Sequence, residues 1–412
     1  MEQKYRSNIP KYFIYAALSG ASLGTPIVLW VIFLQKHYGF SLTEVTLIDV
    51  AFWLGKFFFE IPTGIVADRY GRKVSLALGA AFGSMIWVAF TMADAFWLMA
   101  TAQFIGGIIA TFGSGASEAI LFETMKALGR EDEYAKIAGR AGAIRTVCAM
   151  LSGVAVGVIA EVNLVVPLLI SSVFSAAALI PILSFTETIA KREKGDRPKK
   201  YSQIVGQAVA SLRQHVVLRW AMAYMLVLGS LAFYVEMFLQ PYAIALPLPI
   251  AAVGLVMVAV QIMSIVGSLA VPRAQKLLGT RAILYGAPIL LIPCLLLIGS
   301  FRILPVLIVV MAASFLFALT QPVLLAVIQG RVPNEARATL LSIQSLLFTV
   351  FLSLTEPPLG IISDAFGVYA AYLVMGVTVA LFCVPLLSMG RRWLHGHSMG
   401  PEASRPVGDA AP

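Results

Sequence analysis

Ionisable side chains inside otherwise apolar stretches are the residues of this chain best suited to chemistry. Lys56 and Glu60 stand four residues apart, so a helix places them on one face. An ion pair between them would lower the cost of burying either charge in an apolar environment. A proton arriving at Glu60 would free Lys56, and this step could couple proton movement to a change of conformation. A static structural ion pair is an equally open interpretation.

Three further acids and one base occur in similar surroundings. Glu118, Glu236 and Glu356 could each carry a proton, and the last two could instead gate one side of the protein. Glu118 could also contact a substrate, or be a hydrogen-bonded packing residue, while Glu236 and Glu356 could be ordinary interfacial acids. Arg145 could balance Glu118, attract an anionic substrate or extend to the surface.

Polar and aromatic side chains could supply contacts to a substrate. The substrate-binding candidates are Lys56, Gln103, Ser114, Arg145, Tyr234, Gln261 and Gln321. For Gln261 and Gln321, a polar bridge between helices is the alternative. Aromatic and methionine side chains such as Phe233 and Met237 could line an adaptable pocket or simply face lipid.

The elements that hold these residues are membrane-spanning helices. The 412-residue chain is 59% hydrophobic and only 12% charged, with a mean hydropathy of +0.87, whereas about 25% of the residues of a soluble domain are charged. The net charge of +9 comes from turns between apolar runs, which argues for a membrane and against nucleic acid. The three cysteines lie in different apolar segments, so no metal site, disulfide or cofactor is expected. The chain has no nucleotide-binding loop and no catalytic constellation, which argues against an enzyme or an ATP-driven pump.

Apolar runs of about 20 residues predict twelve spans in two groups of six. The spans are expected at about 12–35, 43–67, 74–93, 96–126, 138–160, 163–186, 216–246, 250–273, 281–300, 303–329, 338–363 and 366–390. The corresponding domains are an N-terminal bundle (1–186), a linker (187–215), a C-terminal bundle (216–390) and a tail (391–412).

The basic residues predict how the chain is oriented. Almost all of the 30 lysines and arginines fall at the chain ends and in the turns after even-numbered spans. The positive-inside rule therefore places both termini, the linker and the tail in the cytoplasm. The N-terminus lacks a short apolar core with a cleavage site, so the first span is expected to be an anchor. The predicted location is the inner membrane of a bacterium.

A charge-dense segment joins the second and third spans: Gly64-Ile65-Val66-Ala67-Asp68-Arg69-Tyr70-Gly71-Arg72-Lys73. It closely resembles the signature loop of the major facilitator superfamily. Segments 60–64 and 114–123 also resemble a drug-exporter-like subgroup of bacterial members. The resemblance covers about residues 12–390 and implies an all-α integral membrane fold. Its twelve helices would form two pseudo-symmetric six-helix bundles, with a mid-membrane binding site between them.

The resemblance also implies a cytoplasmic lock that holds the two halves together. Its members would be Gly64, Asp68, Arg69, Gly71, Arg72, Lys73 and Glu123. Asp68 would face the positive N-terminus of the eleventh span, and Arg72 would reach Glu123 at the end of the fourth. Gly64 would allow another helix to approach closely. A plain basic turn with helix caps is the alternative.

Other features weaken or extend the resemblance. A degraded copy of the loop occupies residues 267–281, with Gln275 in place of Asp68. Many proton-driven drug exporters of the superfamily carry an arginine four residues before a glycine in the fourth span. Here that position is Gln103. They also carry a Gly-Pro signature in the fifth span, whereas this chain has no proline between Arg140 and Glu161.

The prediction from sequence is a secondary active transporter that works by alternating access. Proton-coupled export of small amphipathic compounds is the leading function, with a proton gradient as the energy source. The expected partners are a small-molecule substrate, protons and the lipid bilayer, and the expected state is a monomer. One alternative is a proton symporter importing an anionic or zwitterionic metabolite, for which Lys56 and Arg145 would be suited. A second is a non-transporting membrane sensor or assembly partner.

Overall fold

The computed structural model describes residues 2–187, 216–329, 334–383 and 385, and nearly all of them are helical. The helices are Glu2–Arg6, Asn8–Tyr38, Leu42–Tyr70, Arg72–Phe90, Phe96–Gly113, Ala116–Ala127, Tyr134–Ala160, Val166–Ala177, Leu179–Ser184, Val216–Ala245, Ile250–Ser300, Val306–Gln329, Asn334–Phe366 and Val368–Thr378, with a π-helix at Val379–Cys383. Nearly all of the predicted linker, and all of the tail, lie outside the described residues.

The described helices account for the twelve predicted spans. Ten of them are long and apolar enough to cross a membrane, and Val368–Cys383 is a shorter apolar helix. The run Ile250–Ser300 holds two spans, because its backbone leaves the helical region at Gly279. A 51-residue helix would be about 75 Å long, far more than the roughly 30 Å of a bilayer core. The eighth and ninth predicted spans therefore meet at Gly279.

The signature segment is mostly helix and not a loop, which corrects the sequence prediction. The second span continues to Tyr70, and the third begins at Arg72. Gly71 alone separates them, with φ 102° and ψ 152°. Gly279 has nearly the same conformation, at φ 81° and ψ 156°. Because L residues with side chains rarely adopt such a positive φ, glycine suits both turns.

This match fixes how the two halves correspond. Gly71 follows the 29 residues of the helix that starts at Leu42, and Gly279 stands at the same distance from Ile250. On that register the counterpart of Asp68 is Lys276, one residue beyond the Gln275 expected from sequence. The second half has therefore replaced the acid by a base at this position.

The fourth span is broken, although the sequence predicted one continuous helix. It ends at Gly113 and resumes at Ala116. Between them Ser114 is extended, and Gly115 adopts a left-handed conformation with φ 70°. Ser114 therefore lies in the break itself, and Glu118 lies in the helical segment that follows it.

Close backbone crossings hold the N-terminal bundle together. A Cβ atom added at Gly107, in the fourth span, would lie 2.1 Å from the backbone oxygen of Phe52 in the second. A Cβ atom at Gly55 would lie 2.1 Å from the oxygen of Phe104. Small residues at such crossings let helices pack in a membrane, where no hydrophobic force drives them together. The crossing fixes the rotation of the second span and hence the direction of its polar residues.

Candidate functional site

A cavity of about 470 Å³ lies between the two halves of the protein. Its wall comes from the first four spans and from the seventh and eighth. Aromatic side chains cover much of it: Trp30, Phe52, Trp53, Trp87, Phe90 and Phe233. Four polar side chains also face it: Asp49, Gln103, Glu236 and Gln240. An apolar wall with a few polar groups is typical of small-molecule sites.

Asp49 is the centre of the polar part of this wall. Its side chain is buried, and its Oδ1 accepts hydrogen bonds from Trp30 Nε1 at 2.8 Å and Gln103 Nε2 at 3.3 Å. Asp49, Phe52 and Trp53 share one helix face because they stand three and four residues apart. The second span thus presents an acid and two aromatic rings to the same cavity.

Glu356 of the eleventh span meets Asp49 from the opposite half. It is completely buried, and its Oε2 accepts a hydrogen bond from Trp53 Nε1 at 3.2 Å. Its carboxyl group interacts electrostatically with the nearby carboxyl group of Asp49. Two carboxylates cannot hydrogen-bond to one another, but a proton on one of them would allow such a bond.

The other oxygen of Glu356 favours a proton shared between the two carboxyl groups. Oε1 is buried and receives no N–H or O–H donor from the protein groups that the structure describes. A buried acceptor without a donor is costly, and a proton held between Glu356 and Asp49 would remove that cost. The two halves therefore meet beside the cavity wall at two buried acids, which a shared proton would stabilise.

Glu236 is the third acid of the site. It faces the cavity from the seventh span, and its Oε2 accepts a hydrogen bond from Gln261 Nε2 at 3.2 Å. Gln261 also lines a smaller neighbouring cavity of about 180 Å³, together with Arg145. The substrate candidates Gln261 and Arg145 thus lie beside the central cavity and not in its wall.

Lys56 and Glu60 do not form the expected ion pair, so that expectation was wrong. Lys56 Nζ lies 6.0 Å from the centroid of the Trp53 ring. Glu60 Oε1 accepts a hydrogen bond from Ser114 Oγ at 2.8 Å. Neither Lys56 nor Glu60 belongs to the wall of the central cavity. Both lie further along the second span, toward the basic end of the bundle.

The remaining candidates also lie away from the cavity. Glu118 is exposed in the first turn of the segment Ala116–Ala127, where its Oε2 accepts a hydrogen bond from Ser117 at 2.8 Å. Tyr234 is buried and bonded to Thr355 Oγ1 at 2.6 Å, as a helix-packing residue would be. Gln321 packs against Gly229.

The structure describes part of the predicted cytoplasmic lock. Arg72 forms an ion pair with Glu123, as the sequence suggested. Lys73 instead contacts the end of the sixth span, donating from Nζ to the oxygen of Phe185 at 3.1 Å. Asp68 and Gly64 are exposed, and no atom of the described residues lies within 4 Å of a Cβ added at Gly64. The role of these residues as a lock stays a prediction.

Asp49 is the main residue that the sequence prediction missed. It lies in the apolar run of the second span, eleven residues before Glu60. The rule that made Glu118 a candidate, an acid at span depth, applies to Asp49 equally. The sequence offered no comparable signal for its contact with Glu356, which lies more than 300 positions away.

Comparison with known proteins decides the family. A family model described as "Major Facilitator Superfamily" matches residues 12–354. The chain belongs to the major facilitator superfamily. It is a multi-pass membrane protein of this family of transporters. The drug-exporter subgroup suggested by the sequence stays a prediction.

A curated relative agrees with this family assignment. The chain is 25% identical over 190 residues to the uncharacterized MFS-type transporter YxaM of Bacillus subtilis (strain 168). The match covers 45% of this chain and 46% of that protein, so the chain spans about half the length of this curated relative.

Solved structures with the same fold are more distant in sequence. The nucleoside transporter NupG is 13% identical, with a TM-score of 0.79 over 93% of this chain and 99% of that one. A bacterial homologue of the human lysosomal transporter Spinster, in an inward-facing and unoccupied conformation, is 16% identical. Its TM-score is 0.72 over 96% of this chain and 99% of that one. At these identities the likeness shows the twelve-helix fold of the superfamily.

Proposed function

We propose that this transporter is a proton-coupled exporter of small amphipathic compounds, and of organic cations in particular. The observation that carries the proposal is the meeting of two buried acids from opposite halves: Asp49 in the wall of the central cavity, and Glu356, which is hydrogen-bonded to the neighbouring Trp53. Alternating access requires such an interface to close and open once in each cycle. A proton bound to this pair stabilises the closed interface.

Loss of the proton turns the attraction between Asp49 and Glu356 into repulsion. With one proton, Asp49 and Glu356 attract each other through a hydrogen bond. Without it, two like charges face each other in a water-poor site, where their repulsion is strong. Proton release on one side of the membrane and proton uptake on the other would therefore drive the halves apart and together again.

The cavity lining favours a cation. Asp49 and Glu236 both face it, and its described lining residues include no lysine or arginine. Trp30, Trp53 and Trp87 offer ring faces, which attract cations and stack on flat apolar groups. A cation bound next to Asp49 would replace the shared proton. This exchange is the elementary step of an antiporter.

The alternative symporter for anions has less support. Arg145 is exposed and lines the smaller cavity, and Lys56 lies outside the wall of the central one. An anion in the central cavity would meet two acids and no described base. The sensor alternative predicts that no compound is moved at all.

The orientation follows from the basic residues, which we assign to the cytoplasmic side of a bacterial inner membrane. On that assignment this conformation faces inward. Asp364 of the eleventh span bonds to backbone amides at the outer start of the second. At the basic end, by contrast, no described residue lies within 4 Å of a Cβ added at Gly64. We further propose that the monomer is the functional unit, because the cavity and its acids are complete within one chain.

The test uses inside-out membrane vesicles that contain a fluorescent pH probe. An acid-inside gradient is imposed, and organic cations, nucleosides, neutral drugs and organic anions are added in turn. We expect cations to discharge the gradient with the wild-type protein and not with Asp49→Asn or Glu356→Gln. Asp132→Asn, in an exposed turn, is the matched control and should behave as wild type.

A binding measurement separates loss of coupling from loss of the site. Quenching of the tryptophans in the cavity by a cation that discharges the gradient is followed at fixed pH. Glu356→Gln, which keeps Asp49, should retain binding and lose proton exchange. If only anions discharge the gradient, or if Asp49→Asn and Glu356→Gln both exchange protons normally, the proposal is wrong. If no compound moves, the sensor alternative gains support.

A further inference from the structure

Two acids at the outer ends of opposite halves each cap a helix of the other half. The first is Asp364, near the end of the eleventh span. Its carboxylate accepts hydrogen bonds from the backbone amides of Leu42 at 2.9 Å and Thr43 at 2.8 Å, and from the Thr43 hydroxyl. These are the first two amides of the second span. Such amides have no partner within their own helix.

Two residues at the start of the second span satisfy its other exposed amides. Ser41 accepts a hydrogen bond from the amide of Glu44 at 3.2 Å, and Glu44 accepts one from the amide of Ser41 at 2.8 Å. The capping box therefore covers two amides, and Asp364 covers the two between them. The second span has a complete cap only while the two halves are in contact.

The second acid is Glu161, at the end of the fifth span. Its Oε1 accepts a hydrogen bond from the amide of Ala251 at 2.8 Å, in the first turn of the eighth span. The residue before this helix is Pro249, which has neither a side-chain acceptor nor an N–H group. The cap that its own sequence does not provide comes from the other half.

The two contacts are equivalent in the internal repeat. The second and eighth spans correspond in register, so Thr43 and Ala251 are the same position of the two halves. On the capping helices a glycine precedes each acid by four residues, in Gly157-Val158-Ile159-Ala160-Glu161 and Gly360-Ile361-Ile362-Ser363-Asp364. Four residues are about one helical turn, so glycine and acid share a face.

Each glycine lies against the helix that its acid caps. A Cβ atom at Gly360 would lie 2.8 Å from the oxygen of Leu42. A Cβ atom at Gly157 would lie 3.4 Å from the oxygen of Ala251 and 3.4 Å from Cα of Gly254. The glycine allows the close approach, and the acid one turn further on reaches the exposed amides.

We propose that Glu161 and Asp364 form a reciprocal outer latch, in which each half of the transporter caps the second helix of the other. When the halves separate on the outer side, both caps are lost and water replaces them. A negative charge at a helix N-terminus stabilises the helix, and the effect is modest when the charge is exposed. Because both acids are exposed, the latch biases the equilibrium and does not lock it.

The proposal is independent of the transported compound and of proton coupling. It concerns the balance between outer-closed and outer-open states of the substrate-free protein. Its failure would leave the Asp49–Glu356 proposal intact, and a protein that exchanges no protons could still have the latch.

The test measures a distance across the outer end. Spin labels are placed at Met92→Cys and Ile303→Cys, two exposed positions in outer turns of opposite halves, after Cys148, Cys294 and Cys383 are replaced. Distances are recorded by pulsed electron paramagnetic resonance in lipid nanodiscs. We expect Asp364→Asn or Glu161→Gln to raise the ratio of long to short distances roughly threefold, and both together about tenfold.

Matched variants keep the result interpretable. Asp94→Asn removes an exposed outer acid that caps no helix of the other half in the described contacts and should leave the distances unchanged. Asp364→Glu keeps the charge and should restore much of the short population. Gly360→Leu should also favour the long distances, since it blocks the approach itself. An unchanged distance distribution in the Glu161→Gln, Asp364→Asn double variant would overturn the latch.

Discussion

Gln240 of the seventh span accepts a hydrogen bond from the backbone amide of Val31 in the first span at 2.9 Å. It also donates from Nε2 to the oxygen of Ile27 at 3.1 Å. In a regular helix Val31 and Ile27 would bond to each other. One amide side chain from the C-terminal half therefore inserts into a helical turn of the N-terminal half. It does so just after Pro26, where the helix ladder is already weakened.

Replacing Gln240 should destabilise the contact between the halves. Gln240→Met keeps the volume and removes both hydrogen bonds, leaving two buried backbone groups with poorer partners. We expect a loss of about 1–2 kcal/mol of stability, seen as a lower melting temperature in detergent. Gln240→Asn is too short to reach both groups and should give a similar loss. A melting temperature equal to wild type in both variants would contradict this prediction.

Substitution by valine should affect stability differently at Gly64 and at Gly107. A side chain at Gly107 would clash with the Phe52 backbone, so Gly107→Val should cost about 2 kcal/mol or more and reduce the amount of folded protein. Gly64→Val has open space in this conformation and should keep the wild-type melting temperature.

A transport assay tests whether Gly64 is needed when the basic end of the protein closes. If the basic end closes around Gly64 during the cycle, as the resemblance implies, Gly64→Val should lower the transport rate without affecting stability. Gly139→Val, which also has open space around it, is the control. Equal transport rates for Gly64→Val and wild type would show that no helix packs against Gly64.

The ion pair between Arg72 and Glu123 can be tested by exchanging the two charges. Arg72→Glu and Glu123→Arg each place like charges in contact and should lower transport. The double variant restores an opposite pair and should recover part of the rate. Partly exposed pairs contribute at most about 1 kcal/mol, so the effect should appear in the rate and only slightly in the melting temperature. Failure of the double variant to recover any activity would point to a role for Arg72 beyond this pair.

Glu60 should not be the coupling acid. It bonds to Ser114 outside the cavity, whereas Asp49 lies in its wall and contacts the other half. We therefore expect Glu60→Gln to keep most of its proton exchange in vesicles, and Asp49→Asn to lose it. Lys56→Met should likewise retain exchange. Loss of exchange in Glu60→Gln alone would move the coupling site to the basic end of the second span.

The large-scale organisation could be predicted because it depends on local composition. Apolar runs, basic turns and the segment around Asp68 and Arg72 placed twelve spans in two halves. The structure agrees with these spans within a few residues for most helices. The errors arose where a helix ends earlier or later than hydropathy and charge suggest. Ser114 and Gly115 break the fourth span, while Gly64 to Tyr70 continue a helix that the charges had suggested was a loop. Neither choice is visible in hydropathy.

The sequence by itself determined the membrane environment, the number of spans, the internal repeat and the family, because each depends on residue types along the chain. It also placed Glu236, Glu356 and Gln103 among the candidates. Only the tertiary structure decided which acids meet. Asp49 faces Glu356, and Lys56 turns away from Glu60, because close crossings at Gly55 and Gly107 fix the rotation of the second span. Rotation is set by packing between helices distant in sequence, and a one-dimensional pattern of charges carries no record of it.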